Sequence, residues 1–119
     1  MKRDERVYLQ HILDAIARIE EYTQGVDQES FFRRYLVQDG AIRQLEIIGE
    51  AVKNLSRELR IRYTSVPWQD IAGTRDKLIH QYFGVDLEKV WLMVQDDLPV
   101  LKADVIQILQ DLQSGDTDT

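Results

Sequence analysis

The chain has 119 residues, 44% of them apolar and none of them cysteine, which suits one domain with one core and excludes disulfides and thiolate metal sites. No window approaches the ~18–20 uninterrupted apolar residues of a membrane span. The start, MKRDERVYLQH, lacks the apolar run and small-residue cleavage site of a secretory signal, so a cytoplasmic protein with no membrane partner is expected. Fifteen basic against 21 acidic residues give a net charge of −6, which argues against coating nucleic acid broadly but leaves room for a small, locally basic cleft.

From about Asp4 to Gln24, Leu9, Ile12, Leu13, Ile16 and Ile19 recur at three- and four-residue steps, which predicts an amphipathic first helix. Gly25 stands where a helix C-terminus favours glycine. Asp27 is placed to cap a short turn carrying Phe31, Phe32 and Tyr35. A long second helix is predicted from about Gln38 to Arg60, with a near-heptad seam of Ile42, Leu45, Ile48, Gly49, Val52, Leu55 and Leu59. Glycine costs a helix about 1 kcal/mol relative to alanine, so Gly49 in that seam points to close approach of a neighbouring helix.

Ser65-Val66-Pro67 opens a third helix that runs to about Tyr82, with proline suited to the first helical position. Asp86 is the expected cap of a fourth, carrying Leu87, Val90, Trp91 and Val94. Pro99 then lies inside a continuing stripe of Leu98, Leu101, Val105, Ile108 and Leu112. It either kinks the helix or splits off a fifth, capped by Asp96 or Asp97. The prediction is an all-α, antiparallel four- or five-helix bundle over residues 1–113, with residues 114–119 a short, polar, disordered tail.

Residues 67–84, PWQDIAGTRDKLIHQYFG, hold the chemistry. Trp68, Ile71, Arg75, Leu78, Ile79 and Tyr82 share one side of an ideal helix, while His80 lies roughly 140° around from Arg75. A guanidinium in an apolar stripe needs partners, and Glu46 and Glu50 of the second helix are candidates. Asp76, four residues before His80, is placed to hydrogen-bond the imidazole and favour its charged form. Gly73 leaves a notch on the His80 side, which suggests an interface completed by a second copy.

Each of these residues also has a structural reading. Arg75 can be a salt-bridged structural arginine, His80 a partner of a helix C-terminus, Tyr82 a half-buried core aromatic, and Glu46 and Glu50 a solvated helix face. His11 and His80 are the only histidines and sit on separate helices. Any metal site would therefore rest on carboxylates, and no ligand spacing for one is present. No glycine-rich phosphate loop or Ser/His/Asp arrangement competes.

The run Arg75-Asp76-Lys77-Leu78-Ile79-His80-Gln81-Tyr82 resembles the R-x4-H-x-Y signature of HEPN toxins of the HepT type, found in type VII toxin–antitoxin pairs. The stretch Ala41-Ile42-Arg43-Gln44-Leu45-Glu46-Ile47-Ile48-Gly49-Glu50-Ala51 is similar to the family's arginine-to-Gly-Glu-Ala segment. Val66-Pro67-Trp68, Tyr82-Phe83-Gly84-Val85-Asp86, Trp91 and Leu98-Pro99 also sit as they do in the family, so the likeness covers about Arg3 to Leu112.

The resemblance implies a homodimeric helical bundle whose motif-bearing faces meet in a shared cleft. It also implies metal-independent RNA cleavage, in which the ribose 2′-hydroxyl attacks the adjacent phosphate and leaves a 2′,3′-cyclic phosphate. On that basis His80 is the general acid or base and Arg75 the phosphate holder, roles that suit imidazole and guanidinium. Asp76 stands where relatives often have asparagine. It can orient His80, but its charge also repels phosphate.

A further implication is a partner, a minimal nucleotidyltransferase antitoxin that moves AMP from ATP onto Tyr82. The chain itself needs no cofactor in this scheme. Nucleotides planted beside the cleft block RNA and repel its phosphates. The alternative from a different class is a non-catalytic HEPN dimer that binds nucleotide or RNA and docks a nucleotidyltransferase. The net negative charge leans that way, and the intact Arg75/His80 pair leans toward the enzyme.

Overall fold

The computed structural model describes residues 4–80 and 86–117, and their side chains except those of 75–80 and 116–117. Every regular element among them is helical: α1 (Glu5–Thr23), α2 (Gln28–Arg33), α3 (Tyr35–Lys53), α4 (Arg57–Arg62), α5 (Trp68–His80), α6 (Leu87–Leu92) and α7 (Leu98–Thr117). The chain is an all-α bundle, as its helical periodicity predicts. None of the described helices is long and apolar enough to cross a membrane.

Local chemistry sets most of the boundaries. The Asp4 side chain accepts from the backbone N–H of Arg6 and caps α1. The hydrogen bond from the Arg6 guanidinium holds that carboxyl below its ordinary range, with the backbone bond adding to the effect. Past the far end of α1, Gly25 takes φ +72°, the left-handed conformation that glycine reaches without a Cβ penalty. Asp27 caps α2 by accepting from Ser30, and Asp86 caps α6 by accepting from Lys89.

Helix α1 packs along α3, α3 against α5, and α1 against α7. Leu9, Ile12, Ile16 and Ile19 of α1 are buried with Ala41, Leu45, Ile48 and Val52 of α3 and with Leu101, Val105 and Ile108 of α7. The approach of α1 to α3 is tight at Gly40, where an added Cβ comes within 3.0 Å of ring atoms of Tyr22. Gly49 is buried, as the seam requires.

Three elements differ from the sequence-based expectation. The predicted long helix is broken after Lys53, and α4 starts afresh behind Ser56. The Asn54 amide donates back to the carbonyl of Glu50, and the Ser56 hydroxyl accepts from the N–H of Leu59, so turn and cap chemistry replaces the helical ladder. The seam conceals this break because Leu55 and Leu59 are both buried on either side of it.

Tyr35 does not belong to the short turn after Asp27. It opens α3 and is 76% exposed, beside Leu36 at 88%. Phe31 is the aromatic that fills the core there, with its ring 5.2 Å from that of Trp91.

Pro99 neither splits off a separately capped helix nor uses Asp96 or Asp97 as a cap. Met93–Asp97 forms a π-helical turn that feeds directly into α7, with Leu92 and Leu98 both in the right-handed helical region. Proline has no N–H to donate and its ring crowds the preceding turn, and one wide turn absorbs both. Helix α7 continues through Ser114 to Thr117, where the sequence reading places a polar tail. The only helix breaker in that stretch is Gly115, whose cost of about 1 kcal/mol does not by itself end a helix.

Candidate functional site

Helix α5 begins just behind Pro67. The Ile71 N–H donates to the Pro67 carbonyl, and the Trp68 indole donates across to the carbonyl of Tyr63 at 3.0 Å. Trp68 is buried and Ile71 half-buried, so this helix presents its predicted stripe to the core over its first turns. The backbone then stays helical through position 80. The five-residue step from Arg75 to His80 is therefore made along one helix, an axial rise of roughly 7.5 Å.

Arg75, Asp76 and His80 lie on that backbone, and their side chains fall outside the described residues, as does all of Tyr82. Gly73 is described: a Cβ added there meets nothing within 4 Å among the described residues.

Of the two carboxylates named as possible partners of Arg75, Glu46 has a cation on its own helix, with Arg43 Nη1 3.6 Å away. Glu50 is exposed. Both line a shallow groove of about 310 Å³ between α1 and α3, together with Tyr8, His11 and Arg43. The Tyr8 and His11 rings meet edge to face at 6.1 Å. The second histidine thus sits on the α1–α3 side with the acidic pair, while His80 is on α5.

Sequence reasoning missed a second feature. Helix α5 does not close tightly onto the start of α7, and a cleft of about 480 Å³ remains between them. Among the described residues, Leu45, Ile48, Ile71, Met93 and Leu101 contribute apolar lining, and Asp70, Asp97 and Asp104 are the charged residues that line it. It reaches Thr74, the residue before Arg75. In the sequence these residues are ordinary members of three separate amphipathic stripes, and no local signal marks the gap between them.

Comparison with known proteins agrees with this architecture. The family model described as Ribonuclease HepT-like matches residues 12–108. A protein of Caldanaerobacter subterraneus subsp. tengcongensis, named as a candidate RNase, is 45% identical over 105 residues, covering 88% of this chain and 94% of that one. One from Thermococcus cleftensis, named a probable ribonuclease HepT, is 45% identical over 102 residues, 86% of this chain and 93% of its own. A Methanocaldococcus jannaschii protein, named a gamma-glutamylcyclotransferase and candidate RNase, is 46% identical over 115 residues. These make up 97% of this chain but 52% of that protein, so the chain spans about half of that relative's length. No solved structure matches. With a family match across most of its length and relatives that it covers almost end to end, this chain belongs to the HepT-like ribonuclease family.

Proposed function

We propose that this chain is the ribonuclease toxin of a toxin–antitoxin pair, cutting RNA without a metal ion. The observation that carries this reading is the family match over residues 12–108 with both motif residues, Arg75 and His80, present on one continuous helix. In the proposed reaction the ribose 2′-oxygen attacks the adjacent phosphorus and the 5′-oxygen of the next nucleotide leaves. The products are a 2′,3′-cyclic phosphate and a 5′-hydroxyl. His80 moves a proton at the attacking or the leaving oxygen, and Arg75 holds the phosphate and stabilises its developing charge. Asp76 orients His80.

Two copies assemble the cleft from their motif-bearing faces, and the glycine at position 73, where an added Cβ meets nothing within 4 Å among the described residues, supports a close approach there. The partner is a minimal nucleotidyltransferase antitoxin, which silences the toxin by attaching AMP to Tyr82. One test is RNA cleavage in EDTA by purified wild type and His80→Ala, with product ends mapped and intact mass recorded. Cleavage by wild type alone, with cyclic-phosphate ends, is the expected result. Absence of cleavage by protein of unmodified mass sinks the nuclease reading and leaves a HEPN dimer that binds nucleotide or RNA and docks its partner. Tyr82 without added AMP, in protein made inactive by co-expression with the antitoxin, sinks the modification and leaves steric inhibition.

A further inference from the structure

A chain of net charge −6 that takes RNA works against the repulsion of its own substrate, so it needs cations gathered in one place. The strip Lys53-Asn54-Leu55-Ser56-Arg57-Glu58-Leu59-Arg60-Ile61-Arg62 gathers them away from the motif. It holds four basic residues and one carboxylate, and no other ten-residue stretch of the chain holds as many basic residues.

The fold turns this strip outward. Leu55 and Leu59 are buried and anchor it, while Lys53, Arg57 and Arg62 are exposed and Arg60 is half-buried. Arg57 and Arg60 stand three residues apart, as neighbours on the surface of α4. The Arg62 guanidinium lies 5.5 Å from the centre of the half-buried Tyr63 ring. Both residues border a groove of about 440 Å³ that also touches Glu5, Ser56 and Glu58. Glu5 and Asp111 lie against the two ends of α4, and each accepts hydrogen bonds there, from Ser56 and from Tyr63.

Helix α4 is also fixed relative to the motif helix. The Tyr63 carbonyl at its end accepts the indole N–H of Trp68, the first residue of α5. Roughly 10 Å of helix separates Trp68 from Arg75. The strip therefore stands at the end of the bundle from which the motif helix sets out.

We propose that α4 is a second RNA-binding surface, which holds the single strand to one side of the bond that is cut. Arg57 and Arg60 meet its phosphates, and Arg62 with Tyr63 offers a face on which an unpaired base stacks. Cations that track a backbone beside a stacking platform are how single strands are held without regard to sequence. An acidic protein surface is the competing occupant, but it has no use for the stacking face. The inference rests on the nuclease reading for its ligand and uses neither Arg75 nor His80. These arginines add affinity for a long strand and take no part in the chemistry.

The test is the double variant Arg57→Gln/Arg62→Gln. Both positions are exposed, and the half-buried Arg60 is left unchanged, so folding is not at issue. Binding of a fluorescein-labelled, unstructured RNA oligonucleotide is followed by anisotropy over a series of KCl concentrations, with His80→Ala in both proteins to exclude cleavage. For single strands the slope of log K against log salt is about −0.7 for each phosphate contact, so the double variant should flatten it by about 1.4. With His80 restored, KM for the same RNA should rise and kcat should hold. Because binding is read without cleavage, a wild type that cuts no RNA defeats the nuclease reading and leaves this result standing by itself. An unchanged salt slope overturns the proposal. So does a fall in kcat at constant KM, which places the arginines in the chemistry. An unchanged slope with loss of the co-expressed nucleotidyltransferase from the purified complex also overturns it and makes α4 a protein-docking surface.

Discussion

The Glu5 carboxylate grips Ser56 with both oxygens: Oε1 accepts the Ser56 backbone N–H at 2.6 Å and Oε2 accepts the Ser56 hydroxyl at 3.0 Å. That hydroxyl in turn accepts from the N–H of Leu59, so one serine caps α4 and anchors it to the first turn of α1. Hydrogen bonds to a charged acceptor contribute about 1.5–3 kcal/mol, and an N-cap serine about 1. Ser56→Ala removes the hydroxyl's roles and is expected to destabilise the chain by about 1–2 kcal/mol, read from urea unfolding. Glu5→Gln is expected to lose less, because the amide oxygen still accepts one of the two bonds. Equal stability of wild type and Ser56→Ala tells against this clasp.

A second tie joins the end of α4 to α7. The Tyr63 hydroxyl donates to Asp111 Oδ2 at 2.9 Å. Hydrogen bonds from Gln107 and then Tyr63 hold the Asp111 carboxyl below its ordinary value. Burial, followed by the bond to Asp111, pushes the Tyr63 phenol up. A depressed carboxylate contributes stability above its unfolded pKa and loses it as pH falls through the native value. A raised phenol contributes below its unfolded pKa and loses it as pH rises through the native value. The stability difference between wild type and Asp111→Ala should therefore be constant near neutrality and shrink below the usual carboxylate range. A difference that persists unchanged in strong acid contradicts the assignment.

Gly73 separates the needs of the chain from those of an assembly. A Cβ there meets nothing within 4 Å among the described residues, so Gly73→Ala should stabilise the isolated chain by about 0.5–1 kcal/mol through helix propensity. If the notch lets a second copy approach, the same substitution should weaken self-association and RNA cleavage together. Thermal melts and sedimentation on one preparation read both effects. A more stable variant with undiminished association and activity removes Gly73 from the interface.

Arg75→Lys keeps the charge but not the planar, two-pronged donor set. Cleavage by this variant should fall on the order of 10²-fold, mainly in kcat, if the guanidinium stabilises charge that develops in the transition state. A rise in KM alone gives Arg75 a ground-state binding role.

Much of this molecule is written in short stretches of sequence. Asp4, Asp27 and Asp86 cap the helices they precede, and Gly25 takes the left-handed turn, because each effect is settled within four or five residues. The three- and four-residue spacing of apolar positions yields the all-α class, and the Arg75-to-His80 run carries the family likeness. Other features depend on residues far apart in the chain. The break at Ser56 is clasped by a carboxylate 51 residues away, and the seam through Leu55 and Leu59 reads the same whether one helix or two bury it. Tyr35 and Leu36 look like core residues until packing gives the interior to Phe31 instead. The cleft beside α5 exists only because α5 and α7 leave space between them. Periodicity states which face of a helix is apolar, but only the packing of the other helices decides how much of that face is covered.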